Sequence, residues 1–290
     1  MRLVSFRHDG VRTGLVVGDE VVDLTDPAIG LPGDMPALLA LADSARDALA
    51  RAPSSRGRRF AVSETQLTAP VPRPPSFLAI ARNYQAHVEE LGHERPEFQT
   101  WFSKQSTCVI GPGEPIQVPR VSAAVDYEGE LGMVIGTRSR HVPADRAFEV
   151  VAGFTVVNDV SVRDWQWRSP TMMMGKGFDT HGPTGPWITT RDEVDDPQRL
   201  SVRTWVNGEL RQDGTTADMI FGCAEMIEHL SAAFTLLPGT LISTGTPAGV
   251  AAGGDPPRWL KAGDTVTVTV GQVGELSNPV TDEPEPGRVG

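Results

Sequence analysis

Three acids at alternate positions, Asp126, Glu128 and Glu130, lead directly into the apolar run Leu131-Gly132-Met133-Val134-Ile135. In a β-strand alternate side chains share a face, so the three acids are expected to point the same way. Neighbours on that face sit about 6.6 Å apart at the usual strand rise. Two Glu side chains can close that distance around one ion. Without an ion the carboxylates repel, and each raises the pKa of the next. The competing reading is a solvated strand edge, where charge discourages aggregation.

Elsewhere the apolar runs are short, bounded by Gly and Pro, and rich in Val, Ile and Thr: Phe77–Ile80, Val150–Val157, Leu200–Val206, Thr240–Thr244 and Thr265–Val270. That pattern reads as a mainly β chain with some α. Residues 1–70 read as a small β-rich N-terminal unit with some helix. Hairpin turns are expected at Gly18-Asp19 there and at Asn207-Gly208 further on. One helix is expected after Asp34 as N-cap, with Pro36 in its first turn and a stripe of Leu38, Leu39, Leu41, Ala42, Ala45 and Leu49. The stiff segment Ala69–Pro75 marks the break into a main body over 71–280. A second helix is expected across Met219–Phe234, and the polar, Pro-rich residues 281–290 read as a disordered tail.

With 290 residues the chain can bury a sizeable core, as one domain or two. A formal net charge of −11 argues against nucleic acid as a partner, because phosphates need a basic surface. No window approaches the length of a membrane span, and the N-terminus carries no apolar segment of signal-peptide length. The cytoplasm is the expected compartment. Cys108 and Cys223 lack metal-ligand spacing, which argues against a zinc site or a disulfide scaffold.

Asp159 ends the apolar run Val150–Val157 and needs a partner, because an unpaired buried charge is costly. That partner is either a metal ion shared with Glu128 and Glu130, or Arg163 nearby in sequence, or a turn that Asp159 caps. A site of three carboxylates offers hard oxygen donors, which select Mg²⁺ or Mn²⁺, with Ca²⁺ a further candidate. Three protein ligands leave an octahedral ion open positions for water and substrate. The segment Asn83–Gly92 reads as a short helix, with Asn83 as N-cap and Gly92 just past its end. It places His87 and Glu90 on one face, either as a carboxylate-oriented general base or as an ordinary surface pair. His93–Glu97 would suit a mobile lid. Lys176 lies in a Gly/Pro-dense loop, where it serves either an oxyanion or a structural ion pair. His8, His141, His181 and His229 have no comparable company.

Five segments in order resemble the fumarylacetoacetate hydrolase superfamily: Ala81–His87, Asp126–Leu131, Asn158–Gln166, Gly175–Thr180 and Ser243–Val250. The resemblance implies a mixed β-sandwich roll, a homodimer, and one Mg²⁺ or Mn²⁺ per site on Glu128, Glu130 and Asp159. It further implies that His87 and Glu90 activate water, and that Lys176 and Gln166 contact the reacting oxygens. Arg82, Tyr84 and Thr244 would bind the carboxylate end of a small 2-oxo acid. The expected reaction is hydrolysis of a C–C bond in an acylpyruvate-type 2,4-dioxo acid. The same enolate chemistry also serves an oxaloacetate decarboxylase, or an isomerase or hydratase of an unsaturated 2-oxo diacid. A non-catalytic metal-binding protein is the remaining reading. Gly177 and His181-Gly182 depart from many relatives, a change expected to bear on the substrate pocket.

Overall fold

The computed structural model describes residues 1–41 and 43–285. Its first elements are an antiparallel meander, β1 (Arg2–Arg7), β2 (Val11–Val17) and β3 (Glu20–Asp23). The second reversal falls at Gly18-Asp19, as expected, with Gly18 at φ +59°. The helix expected after Asp34 forms as two pieces, α1 (Met35–Ala40) and α2 (Asp43–Arg51). Asp34 caps the first, accepting from the Ala37 amide at 3.0 Å. The break follows from Ser44, whose amide and hydroxyl both donate to the Leu41 carbonyl and hold that turn apart from the next. Ala42, part of the expected stripe, lies outside the described residues. Two short strands, β4 (Arg59–Ala61) and β5 (Leu67–Thr68), complete this unit.

The main body follows with β6 (Phe77–Ala81), α3 (Gln85–Glu90), β7 (Thr100–Lys104), β8 (Val109–Ile110) and β9 (Ile116–Val118). Then come β10 (Val125–Asp126), β11 (Gly129–Ile135), β12 (Val151–Asn158), β13 (Ser161–Val162), α4 (Arg163–Gln166) and α5 (Met173–Lys176). The chain closes with β14 (Gly182–Thr190), β15 (Ser201–Val206), β16 (Glu209–Thr215), α6 (Cys223–Ala233), β17 (Leu241–Ser243), β18 (Thr265–Val270) and β19 (Gly274–Asp282). Helix α6 starts at Cys223 rather than Met219, where Glu225 accepts from the Gly222 amide at 2.6 Å.

One large mixed sheet has the order β4-β3-β2-β1-β14-β12-β11-β17-β6-β7, and a second sheet has β16-β15-β18-β19-β9. The fold is mainly β, as the sequence indicates. Strand β11 is buried at every position, so both its faces meet apolar side chains. Leu131, Met133 and Ile135 join Phe154 and Val156 against Val202, Val266 and Val268 of the second sheet. Val134 faces the other way, with Val157, Leu241, Leu3 and Leu38. Gly129 opens this sandwich at the functional end, because a Cβ there would stand 2.2 Å from Thr204 Oγ1.

The first seventy residues do not make a separate sheet. Strand β1 pairs antiparallel with β14, Arg2 opposite Thr189, which makes the N-terminal strands an extension of the main sheet. The first residues of the stretch expected as a disordered tail, 281–290, are ordered. Thr281 and Asp282 pair in parallel with β9, and the Glu283 carboxylate accepts from the Arg120 amide at 2.9 Å. Residues 286–290 of that tail lie outside the described residues. No described helix is long and apolar enough to cross a membrane. Both cysteines are buried free thiols.

Candidate active site

The pairing of β11 with β12 sets Gly129 opposite Asn158, so the residues just beyond, Glu128 and Asp159, meet at the mouth of the sheet. Their backbones are tied there. The Asp159 amide donates to the Glu128 carbonyl at 2.8 Å, and Asn158 Oδ1 accepts from the Glu128 amide at 3.0 Å. Glu128, Glu130 and Asp159 are buried, with one oxygen of each within 4.8 Å of the others. The solvated-edge reading is thereby excluded.

Three cations balance this cluster. Lys176 Nζ donates to Glu128 Oε2 at 2.6 Å and to Asp159 Oδ2 at 2.8 Å. Lys104 Nζ donates to Asp159 Oδ1 at 2.6 Å. Arg163 donates through Nε to Asp126 at 2.8 Å and holds Nη2 2.7 Å from Glu128 Oε1. Asp159 therefore pairs with two lysines, not with Arg163 as the alternative reading had it. Asp126 is also corrected. The chain breaks from strand pairing at Tyr127 and Glu128, and the Asp126 carboxylate accepts from the Ala251 and Ala252 amides as well as from Arg163. It positions Arg163 and leaves the shared face to the other two acids.

Burial opposes ionisation of Glu128, but Lys176 and Arg163 outweigh it and hold this carboxyl well below its ordinary range. Glu130 goes the other way. It is buried beside Asp159 and Glu128 and is pushed well above the ordinary carboxylate range. Its partners are the Ser243 hydroxyl at 2.5 Å and the Gly245 amide at 2.8 Å, and no described cation pairs with it. A buried carboxylate with no cation, crowded by two others, fits the acids of a divalent-cation site, and the all-oxygen donor set suits Mg²⁺ or Mn²⁺. Burial works against the Lys176 ammonium, but Asp159 and Glu128 raise its pKa, so it stays a proton donor at neutral pH.

The opposite wall rises from the turn between β6 and α3. Asn83 is not the helix cap; that position is Tyr84. The Asn83 amide instead staples the turn to distant segments, donating to the Phe221 and Thr244 carbonyls at 3.1 and 2.8 Å and accepting from the Phe221 amide at 2.9 Å. Gly92 follows the helix at φ +66°, as expected. His87 is buried, with Nδ1 3.4 Å from Glu90 Oε2, at the outer limit of a hydrogen bond. Glu90 is held from behind, since its Oε1 accepts from the Gly249 amide at 2.9 Å. Gly253 leaves it room, because a Cβ there would lie 2.4 Å from the Glu90 carboxyl carbon.

Both walls face one cavity of about 370 Å³, lined by Arg82, His87, Glu128, Glu130, Gln166 and Lys176 among others. Gln166 Oε1 accepts from Arg163 Nη1 at 2.9 Å, which orients its amide. Thr244 and Tyr84 do not line the cavity. The Thr244 hydroxyl donates to the Leu131 carbonyl at 2.9 Å, and Gly245 and Thr246 face the cavity instead. Tyr84 is fully buried, and its phenol has no partner among the described residues. Gly177 and His181 line a separate cavity and not the one that the acid cluster faces. Lys104 and His93 were missed. Lys104 was legible, because it shares the inward face of β7 with Phe102. His93 lay in a polar stretch with no pattern to mark it.

The chain is similar to known proteins over most of its length. Residues 76–281 match the family described as fumarylacetoacetate (FAA) hydrolase, C-terminal. The oxaloacetate tautomerase YisK of Bacillus subtilis (strain 168) is 41% identical over 225 residues, 76% of this chain and 75% of that protein. The mitochondrial oxaloacetate tautomerase fahd2 of Xenopus laevis is 37% identical over 287 residues, 97% of this chain and 90% of its own. A crystal structure of maleylpyruvate hydrolase from Sphingobium sp. SYK-6, in complex with manganese(II) and pyruvate, superposes with a TM-score of 0.83. The two are 33% identical, covering 98% of this chain and 100% of that one. On this evidence the chain belongs to the fumarylacetoacetate hydrolase family.

Proposed function

We propose that the protein is a Mg²⁺- or Mn²⁺-dependent enzyme that interconverts the keto and enol forms of oxaloacetate. The observation that carries this reading is one cavity that joins a buried three-carboxylate cluster to a carboxylate-backed imidazole. The tautomerase names of the two relatives support the choice of oxaloacetate.

A divalent cation on Glu128, Glu130 and Asp159 would hold the 2-oxo-carboxylate and draw off the negative charge of the enolate. The residues of the chain do the rest. His87 takes a proton from C3, and Glu90 favours the imidazolium that results. Lys176 presents an ammonium to the C2 oxygen, where charge develops; one such donor is typically worth roughly 3–4 kcal/mol. Gln166, turned by Arg163, adds a second donor. One proton leaves C3 and one reaches the C2 oxygen, and the reverse reaction runs through the same groups.

The His87–Glu90 pair also supports a second reading, C–C hydrolysis of an acylpyruvate, in which His87 deprotonates a water that attacks the distal carbonyl. One assay separates the two. The enol absorbance of oxaloacetate and of acetylpyruvate is followed with Mn²⁺ and with chelator, and the products are analysed. Metal-dependent enol decay of oxaloacetate without loss of carbon supports the tautomerase. Pyruvate plus acetate from acetylpyruvate would replace it with the hydrolase, and pyruvate plus carbon dioxide from oxaloacetate with the decarboxylase.

A further inference from the structure

Arg82 and His93 take no part in the chemistry above, yet both line the same cavity. Arg82 leaves β6 in the left-handed region, at φ +56°, a conformation a non-glycine residue seldom adopts. The Asn83 staple holds that turn in place. No described carboxylate lies within ion-pair distance of Arg82 or His93. Glu90, the acid at the end of α3, has its oxygens turned to Gly249 and His87. Arg82, His87 and His93 line one cavity, and partial burial, then Arg82 and His87, make His93 less basic. One cavity is thus lined by the acids Glu128 and Glu130, by the His87 imidazole, and by an arginine and a second imidazole that have no carboxylate partner among the described residues.

We propose that Arg82 and His93 form a second carboxylate subsite, which makes His93 a specificity-determining residue for a short 2-oxo dicarboxylate. This rests on the 2-oxo acid reading above. The head of the substrate lies at the acid cluster, its far carboxylate lies between Arg82 and His93, and the carbon that loses a proton lies under His87. A cavity of about 370 Å³ holds a diacid of this kind. A monoacid would leave the Arg82 guanidinium and the His93 imidazole facing water alone.

The test is calorimetric binding to the Mn²⁺-loaded protein of two ligands, pyruvate and 3,3-difluorooxaloacetate. The second is a diacid with no C3 proton to lose, so binding is read without turnover. The wild type is expected to hold the diacid more tightly than pyruvate. His93→Ala and Arg82→Gln are each expected to weaken the diacid about tenfold to a hundredfold, well out of proportion to pyruvate, as for a lost charged hydrogen bond. His93→Gln, which keeps a donor, should recover part of that loss. Equal losses for both ligands, an unchanged diacid, or a wild type without preference would overturn the subsite. A wild type that shows the preference and turns over neither oxaloacetate nor acetylpyruvate would overturn the proposed activity and leave the subsite standing.

Discussion

The two walls of the cavity are held in different ways. On the acid wall each of Asp126, Glu128 and Asp159 touches a buried cation at 2.6–2.8 Å, and the supporting residues come from β7, β11, β12, α4 and α5. On the base wall one six-residue helix carries His87, and its one carboxylate contact is 3.4 Å long. Arg82 and His93, which line the same cavity, have none among the described residues. A wall built from many elements is rigid and keeps its geometry without ligand. A wall on one short helix can adjust when a substrate supplies the missing anion, and hydrogen bonds of this kind tighten in the loaded complex. The fold therefore holds the acid cluster firmly and leaves His87 room to adjust.

The largest effect should come from breaking the acid wall. Asp159→Ala leaves Lys104 and Lys176 buried without their shared carboxylate, a change that costs about 3–5 kcal/mol. Denaturant unfolding should show that loss, and Mn²⁺ titration should show no binding. A variant as stable as the wild type would mean that the wall is not held by its charges.

Breaking the base wall should separate activity from metal binding. His87→Ala is expected to lower turnover by about 10²–10⁴, the usual range for a general base, with Mn²⁺ affinity near normal. Reduced Mn²⁺ affinity in this variant would merge the two walls into one site.

A smaller effect concerns the anchor of the Lys176 loop. His181 is fully buried and donates to the Gln117 carbonyl at 2.8 Å, and burial lowers its pKa to about 4. Its folded pKa is thus below the unfolded one, near 6.5, so its contribution is complete above the unfolded value and is lost as pH falls toward 4. Between pH 8 and pH 5 this single group should remove about 2 kcal/mol of stability. The pH dependence of the melting temperature should flatten in His181→Gln. An unchanged profile would place the acid sensitivity elsewhere.

The smallest effect is expected for Glu90→Gln. The amide oxygen can still accept from Gly249, but it no longer complements a charged imidazole, a loss worth roughly 1 kcal/mol. Turnover should fall about fivefold, with Mn²⁺ affinity unchanged. A loss as large as that of His87→Ala would mean that the pair is already rigid.

Strands such as β12, β15 and β18 were legible because both their composition and their Gly/Pro boundaries are local. The acid triad was legible for the same reason, since period-two spacing and one strand end bring it together. What sequence could not supply came from long-range pairing. Asp126 matches its neighbours in type and spacing, yet amides of Ala251 and Ala252 claim it from across the chain. Asn83 looked like a helix cap and is a staple to Phe221 and Thr244. Thr244 sits in the expected motif, but its hydroxyl is turned into the sheet, and its neighbours Gly245 and Thr246 face the cavity. His93 had no motif, and only the fold brings it to the cavity that Arg82 lines.

The most direct test of the account is the effect of pyruvate on water-proton relaxation by Mn²⁺ bound to the protein. One Mn²⁺ per chain should bind, the bound ion should enhance relaxation strongly, and pyruvate should lower that enhancement as its 2-oxo-carboxylate displaces water. Glu130→Gln should weaken the binding of Mn²⁺. Absence of Mn²⁺ binding, or an enhancement that pyruvate leaves unchanged, would contradict the claim that the buried carboxylates hold a cation for a 2-oxo acid.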